Sequence, residues 1–370
     1  MGNIIIGVII AFIISFYAIP IIIQFADQIK LYDHPDERKV HKNPIPSLGG
    51  LGIFIGFMMG LLLTQNIPAV SAQLQYFFAS FLVVFFFGVK DDILKIKPMK
   101  KILGQLLAGI IIIFKANLLF TNFQGFLGVT YIIPSFGVLF TLLTIMVIMN
   151  AFNLIDGIDG LAASLGILTS CTFGVFFYLS GDMFYSTIGF ILASSLFAFL
   201  TYNYSPAKIF MGDTGSMLIG LINAILVIRF IETAPNTNFF PKLTSTAMGF
   251  GILAVPLLDT LRVFGIRILH GQSPFYPDRR HLHHILLDRG FNHVQILYTL
   301  VSISVLITVG TFYILPIGCT YTIVAQLVFF FLGVYLLTKF IPEVKKKAPL
   351  NVEKIVEPEF ISTSSNQILH

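Results

Sequence analysis

Long apolar runs separated by short polar or charged stretches repeat along nearly the whole chain. A helix needs about 20 apolar residues to cross roughly 30 Å of hydrocarbon. Eleven runs approach that length, at 3–24, 46–65, 75–89, 102–119, 134–151, 160–180, 184–202, 216–230, 244–268, 294–315 and 320–340, with ten as the alternative count. The pattern predicts an all-α, polytopic integral membrane protein over residues 1–340. The tail at 341–370 has no apolar periodicity, carries Pro349 and Pro358, and is expected to be disordered.

Composition supports the same class: 56% of the 370 residues are hydrophobic, 11% are charged and 39 are Phe, which excludes an ordinary soluble domain. Positive charge falls almost entirely on alternate connections. One set holds Lys30, Arg38, Lys39 and Lys42, the lysines from Lys90 to Lys101, Lys208, Arg267, Arg279, Arg280, Arg289 and Lys345 to Lys347; the other holds little besides Lys242. The positive-inside rule then puts the N-terminus outside and the basic loops and tail in the cytoplasm. The first run lacks a basic start and is long, so it reads as an uncleaved span. Cys171 and Cys319 lie far apart in apolar segments and read as buried thiols. The net charge of +5 favours anionic headgroups and phosphorylated ligands. No nucleic-acid reader motif is present.

Ionisable groups at a bilayer edge are costly, so their recurrence at one predicted face points to a shared polar site. Asn153, Asp156 and Asp159 are spaced by three, which on a helical turn gives them one face and a common ligand. An all-oxygen donor set suits a hard cation such as magnesium, with manganese as the alternative. A capping and turn device is the plainer reading of the same Asn, Asp and Gly residues. Asp91-Asp92 closes another run. Neighbouring carboxylates raise one pKa unless a cation compensates, so the pair is a candidate for metal binding or proton abstraction. In Met211-Gly212-Asp213-Thr214-Gly215-Ser216, small residues at a helix start would leave N–H groups open to phosphate oxygens, with Asp213 holding a cation. Arg279, Arg280, His281, His283 and His284 form a basic loop better suited to a diphosphate than to structural zinc, since no Cys accompanies them. His41 and Lys42 precede Pro46-Ser47-Leu48-Gly49-Gly50, whose glycines read as helix-packing devices.

Together these motifs resemble the polyprenyl-phosphate N-acetylhexosamine-1-phosphate transferases. The resemblance runs from His41 to Gly290 through Pro-Ser-Leu-Gly-Gly, Asp-Asp-Ile-Leu-Lys, the eleven-residue stretch from Asn150 to Gly160, Met-Gly-Asp-Thr-Gly-Ser and His-Leu-His-His. It implies transfer of a sugar 1-phosphate from a UDP-N-acetylhexosamine to undecaprenyl phosphate, releasing UMP, at the cytoplasmic face of the bacterial inner membrane. It also implies Asp213 and Asn153 as the magnesium site, Asp156 and Asp159 as nucleotide-sugar and catalytic carboxylates, and Asp91 and Asp92 on the lipid-phosphate side. Lys101 is implied as a phosphate contact, and His281, His283 and His284 as the nucleotide-side loop. The His-x-His-His form is similar to the branch that primes O-antigen, lipopolysaccharide and teichoic acid synthesis with GlcNAc 1-phosphate. The phospho-MurNAc-pentapeptide branch is the alternative within the family. A secondary transporter with membrane-embedded carboxylates is the alternative class, against which no internal repeat is found. Oligomeric state is left open, a homodimer included.

Overall fold

A computed structural model describes residues 2–32, 44–64, 67–241, 243–272 and 280–342. His41, Lys42, Arg279 and nearly all of the predicted tail lie outside the described residues.

The described chain is built from α1 (Gly2–Gln28), α2 (Gly49–Thr64), α3 (Ile67–Leu94), α4 (Pro98–Phe114), α5 (Pro134–Ile155), α6 (Leu161–Leu179), α7 (Met183–Asn203), α8 (Gly212–Thr233), α9 (Ser245–Ile252), α10 (Ala254–Leu269), α11 (Leu282–Asp288), α12 (His293–Ile314) and α13 (Cys319–Phe340). Each predicted apolar run contains a helix, but the run at 102–119 leaves its helix after Phe114 and the run at 244–268 is broken: Leu253, at φ −98° and ψ 11°, separates α9 from α10. Among the described residues seven helical segments are long and apolar enough to cross a membrane: Gly2–Gln28, Pro134–Ile155, Leu161–Leu179, Met183–Asn203, Gly212–Asn236, His293–Ile317 and Cys319–Phe340. This is a multi-pass membrane protein. Large apolar side chains such as Tyr17, Ile21, Leu306, Tyr321 and Phe331 are exposed along α1, α12 and α13, a belt that water would not tolerate and lipid tails would cover.

The axis of the bundle is α8. Nearly every side chain from Thr214 to Ile231 is buried, because α2, α3, α5, α6, α7 and α9 all pack against it. With no hydrophobic gradient between helix and lipid, close backbone approach and interhelical hydrogen bonds carry such packing. Two glycines permit that approach: a Cβ on Gly50 would lie 2.2 Å from the Gly215 nitrogen, and one on Gly88 would lie 2.5 Å from the Thr214 Cα. The packing role expected of Gly50 therefore has a geometric basis. The segment before α2 also pairs with the segment before α8, through Phe210 N to Pro46 O at 2.7 Å, Gly49 N to Phe210 O at 2.9 Å and Gly50 N to Met211 O at 2.8 Å. The start of α8 is thus braced by α2 and α3 at once.

Gly88→Ala should lower stability by about 1–3 kcal/mol, the usual range for overpacking, read as a fall in Tm of the detergent-solubilised protein. Gly265→Ala on α10, where an added Cβ meets nothing within 4 Å, should leave Tm unchanged or raise it. Equal behaviour of the two variants would contradict the tight α3–α8 contact.

Candidate functional site

Three helix ends converge on the start of α8. Asp91 and Asp92 lie on the last turn of α3, Lys101 on the first turn of α4, Asn153 on the last turn of α5 and Asp213 on the first turn of α8. At their centre is the Lys101 ammonium. It pairs with Asp213 Oδ2, stands 3.3 Å from Asp91 Oδ2 and donates to Asn153 Oδ1 at 3.1 Å. Asn153 completes the knot by donating through Nδ2 to Asp213 Oδ1 at 2.7 Å and to Ser216 Oγ at 3.0 Å. Behind it, Asn150 donates to Gln105 Oε1 at 3.0 Å, and this half-buried amide pair clamps α4 to α5 one turn from Lys101 and Asn153.

The two adjacent aspartates face different tasks. Asp91 accepts from Ile96 N at 2.7 Å and turns its other oxygen to Lys101. Burial, reinforced by a shared hydrogen bond with Asp213, pushes its carboxyl up to about 6. Asp92 instead caps α8 from another helix: Oδ1 accepts from Asp213 N at 2.7 Å, and Oδ2 accepts from Thr214 N at 3.1 Å and Thr214 Oγ1 at 2.5 Å. Burial pushes its carboxyl up to about 7 despite those donors. The N–H groups expected to receive phosphate at the start of α8 are therefore already taken. A carboxylate at a helix N-terminus satisfies orphan donors and complements the dipole.

The shared face expected of Asn153, Asp156 and Asp159 is absent. The α5 helix ends at Ile155, and Asp156 at φ −76° and ψ 44° starts a turn that closes on Gly160 at φ +75°. Asn153 consequently faces Asp213, while Asp159 meets His293 Nδ1 at 3.1 Å and accepts from Ala207 N at 3.3 Å. Burial pushes Asp159 up, but the His293 hydrogen bond and charge outweigh it and hold the carboxyl below the usual range. Asp156 is partly exposed and takes no hydrogen bond among the described residues. Burial, with the nearby charges of Asp213, Asp92 and Asp159, raises its proton affinity well above the ordinary carboxylate. Of these carboxylates it alone has no hydrogen-bond partner among the described residues.

The histidine turn packs on the same loop, since a Cβ on Gly157 would lie 2.5 Å from His283 Nε2. His281 and His283 are buried and stack at 5.7 Å and 9°, and the His283 and His284 rings are 4.3 Å apart. Burial, then the neighbouring His284, pushes His283 down to about 3, so that ring is neutral. The backbone carbonyl of Arg280 accepts from Arg262. Sequence reasoning missed Asp259 and His293. Asp259 had a visible signal, being a carboxylate inside a predicted span; His293 had none.

Among the described residues no group of three or more His, Cys, Asp or Glu side chains converges as a metal site. What converges is two carboxylates and an amide oxygen on a cationic nitrogen. That donor set fits magnesium, which takes one or two carboxylates and completes its shell with water or phosphate oxygens.

A family model described as glycosyl transferase family 4 matches residues 74–231. The chain is 32% identical over 331 residues to a decaprenyl-phosphate N-acetylglucosaminephosphotransferase of Mycobacterium leprae, with 83% of each chain covered. It is 32% identical over 347 residues to an undecaprenyl-phosphate alpha-N-acetylglucosaminyl 1-phosphate transferase of Haemophilus influenzae, covering 90% of this chain and 93% of the relative. Against a probable undecaprenyl-phosphate N-acetylglucosaminyl 1-phosphate transferase of Bacillus subtilis the identity is 30% over 292 residues, covering 78% of this chain and 79% of the relative.

Asp92→Ala should destabilise the protein by about 1–3 kcal/mol, because it strands the donors of Asp213 and Thr214. Asp92→Asn, which keeps an acceptor oxygen, should lose less. A thermal melt in which both variants match the wild type would remove the capping role.

Proposed function

Because the chain belongs to the polyprenyl-phosphate N-acetylhexosamine-1-phosphate transferases of glycosyl transferase family 4, and is a phosphotransferase, we propose that it moves GlcNAc 1-phosphate from UDP-GlcNAc to undecaprenyl phosphate. The products are undecaprenyl-diphospho-GlcNAc and UMP, the priming step of a cell-surface polysaccharide. The relatives' names support the sugar and the lipid phosphate. The observation that carries the reading to this chain is the meeting of Asp91, Lys101, Asn153 and Asp213 from four helices around one positive charge. The lysine-rich connections support a site facing the cytoplasm in the inner membrane, with the N-terminus outside.

Two polyanions must meet in this reaction, so most of the task is cancelling repulsion and aligning an in-line displacement. Asp213, Asn153 and Asp91 would hold a magnesium ion. When bound, the ion supplies positive charge to the diphosphate and to the departing UMP. Lys101 and the ion seek the same oxygens, so the ammonium is a competitor in the empty site and a phosphate contact in the loaded one. Asp156, unpartnered and raised in proton affinity, is the residue placed to take the remaining proton of the lipid phosphate as its oxygen attacks the β-phosphorus. Asp159 sets the turn by bridging to His293 and to the α7–α8 connection. Asp92 holds the first turn of α8, and with it Asp213, in register. The histidine turn, Arg280 and, from outside the described residues, Arg279, His41 and Lys42 are assigned to substrate anions.

Purified protein given undecaprenyl phosphate, magnesium and radiolabelled UDP-GlcNAc should form a lipid-linked product. Asp156→Asn and Asp213→Asn should each lower turnover by at least about a hundredfold. Absence of lipid product with every UDP-N-acetylhexosamine tested would overturn the assignment. In a separate measurement without substrate, Lys101→Met should bind manganese more tightly than the wild type, as followed by the loss of free-ion paramagnetic resonance signal. Because Asp91 is protonated below about 6, the wild type's affinity for manganese should rise as pH increases through that value. Weaker binding by Lys101→Met, or a pH-independent affinity, would contradict the proposed donor set.

A further inference from the structure

Asp259 on α10 is 2% exposed and has no part in the chemistry above. Its Oδ2 meets Nδ1 of His281 at 2.8 Å, its Oδ1 accepts from the Leu282 backbone nitrogen at 2.8 Å, and Nη2 of Arg262 stands 3.7 Å from Oδ1. Both oxygens are thus committed to the turn that opens α11. His281 is 4% exposed, and its Nε2 is buried with no hydrogen-bond partner among the described residues. The ring stacks on His283, whose own Nε2 rests against Gly157, the neighbour of Asp156.

A carboxylate on one imidazole nitrogen keeps the proton there, fixes the plane of the ring and leaves the other nitrogen to meet a ligand. Native proteins rarely bury a polar atom without a partner, and such atoms ask for an explanation. Among the described residues nothing meets this nitrogen, and the site beside it is the carboxylate turn. We propose that Asp259 is a positioning residue of the transferase: it holds His281 so that Nε2 meets a phosphate oxygen of the nucleotide sugar. In the loaded site the ring bridges two anions as an imidazolium, with Asp259 on Nδ1 and phosphate on Nε2, a charge-assisted bond on each side. This inference rests on the transferase reading, and it adds a residue that the motif pattern does not include.

The test uses the full chain labelled with 15N-histidine, with UDP as the probe and His281→Gln to assign the signal. In the wild type without UDP, His281 should be protonated at Nδ1; saturating UDP should add a proton at Nε2. Asp259→Asn places an amide NH2 opposite Nδ1, and should leave His281 with one protonated nitrogen whether or not UDP is present. Turnover should fall about 10- to 100-fold in Asp259→Asn. The double variant Asp259→Asn/His281→Gln should lie within about threefold of His281→Gln alone. Asp259→Glu should recover part of the loss. If the wild-type His281 signal does not move at saturating UDP, or if the two losses multiply, the proposal is overturned, even where Asp259→Asn fails to fold. A wild type that turns over UDP-GlcNAc while its His281 stays unchanged sinks this inference alone. A wild type that neither binds UDP nor makes product sinks the transferase reading with it.

Discussion

Carboxylates gathered at a membrane edge repel one another, and in a poorly solvated bundle that repulsion must be cancelled by a cation close at hand. Lys101 meets this constraint. Its ammonium joins Asp213, Asp91 and Asn153, and in doing so ties the ends of α3, α4, α5 and α8 into one knot. The Gln105–Asn150 pair one turn deeper keeps α4 and α5 in the register that lets Lys101 and Asn153 meet. The fold's central helix, α8, begins in this knot, so the packing of the bundle and the geometry of the site are fixed at the same point.

Around the knot, carboxylates divide their work by where they point. Asp92 and Asp259 spend their oxygens on the first turns of α8 and α11, a use that satisfies orphan backbone donors and leaves little capacity for a ligand. Asp159 is spent on His293 and Ala207. Of these carboxylates Asp156 alone keeps both oxygens uncommitted among the described residues. A cluster that looks like a pool of equivalent acids along the chain is therefore divided between carboxylates tied to Lys101, carboxylates that anchor turns, and one left uncommitted among the described residues.

Much of this was legible in the sequence. Runs of apolar residues locate the helices, and the junctions carrying Asp91, Asn153, Asp156 and Asp213 share one set of alternate connections, which points to one site. What could not be read were contacts between residues remote along the chain. Nothing local to Asp92 announces that it caps a helix starting 120 residues later, and nothing local to His281 announces Asp259. Local periodicity also misled at Asn153, Asp156 and Asp159, because the three-residue spacing places groups together only while the helix continues, and α5 stops at Ile155. The break at Leu253 was hidden for a similar reason: a run that stays apolar gives no sign of where its backbone turns.

The proposed seat of a divalent ion decides all of these roles. Crystals of the protein grown with manganese and measured at its absorption edge should show an anomalous peak bounded by Asp213, Asn153 and Asp91, with the Lys101 ammonium displaced from those oxygens. A peak elsewhere, or Lys101 still seated among the same three residues at saturating manganese, would contradict it.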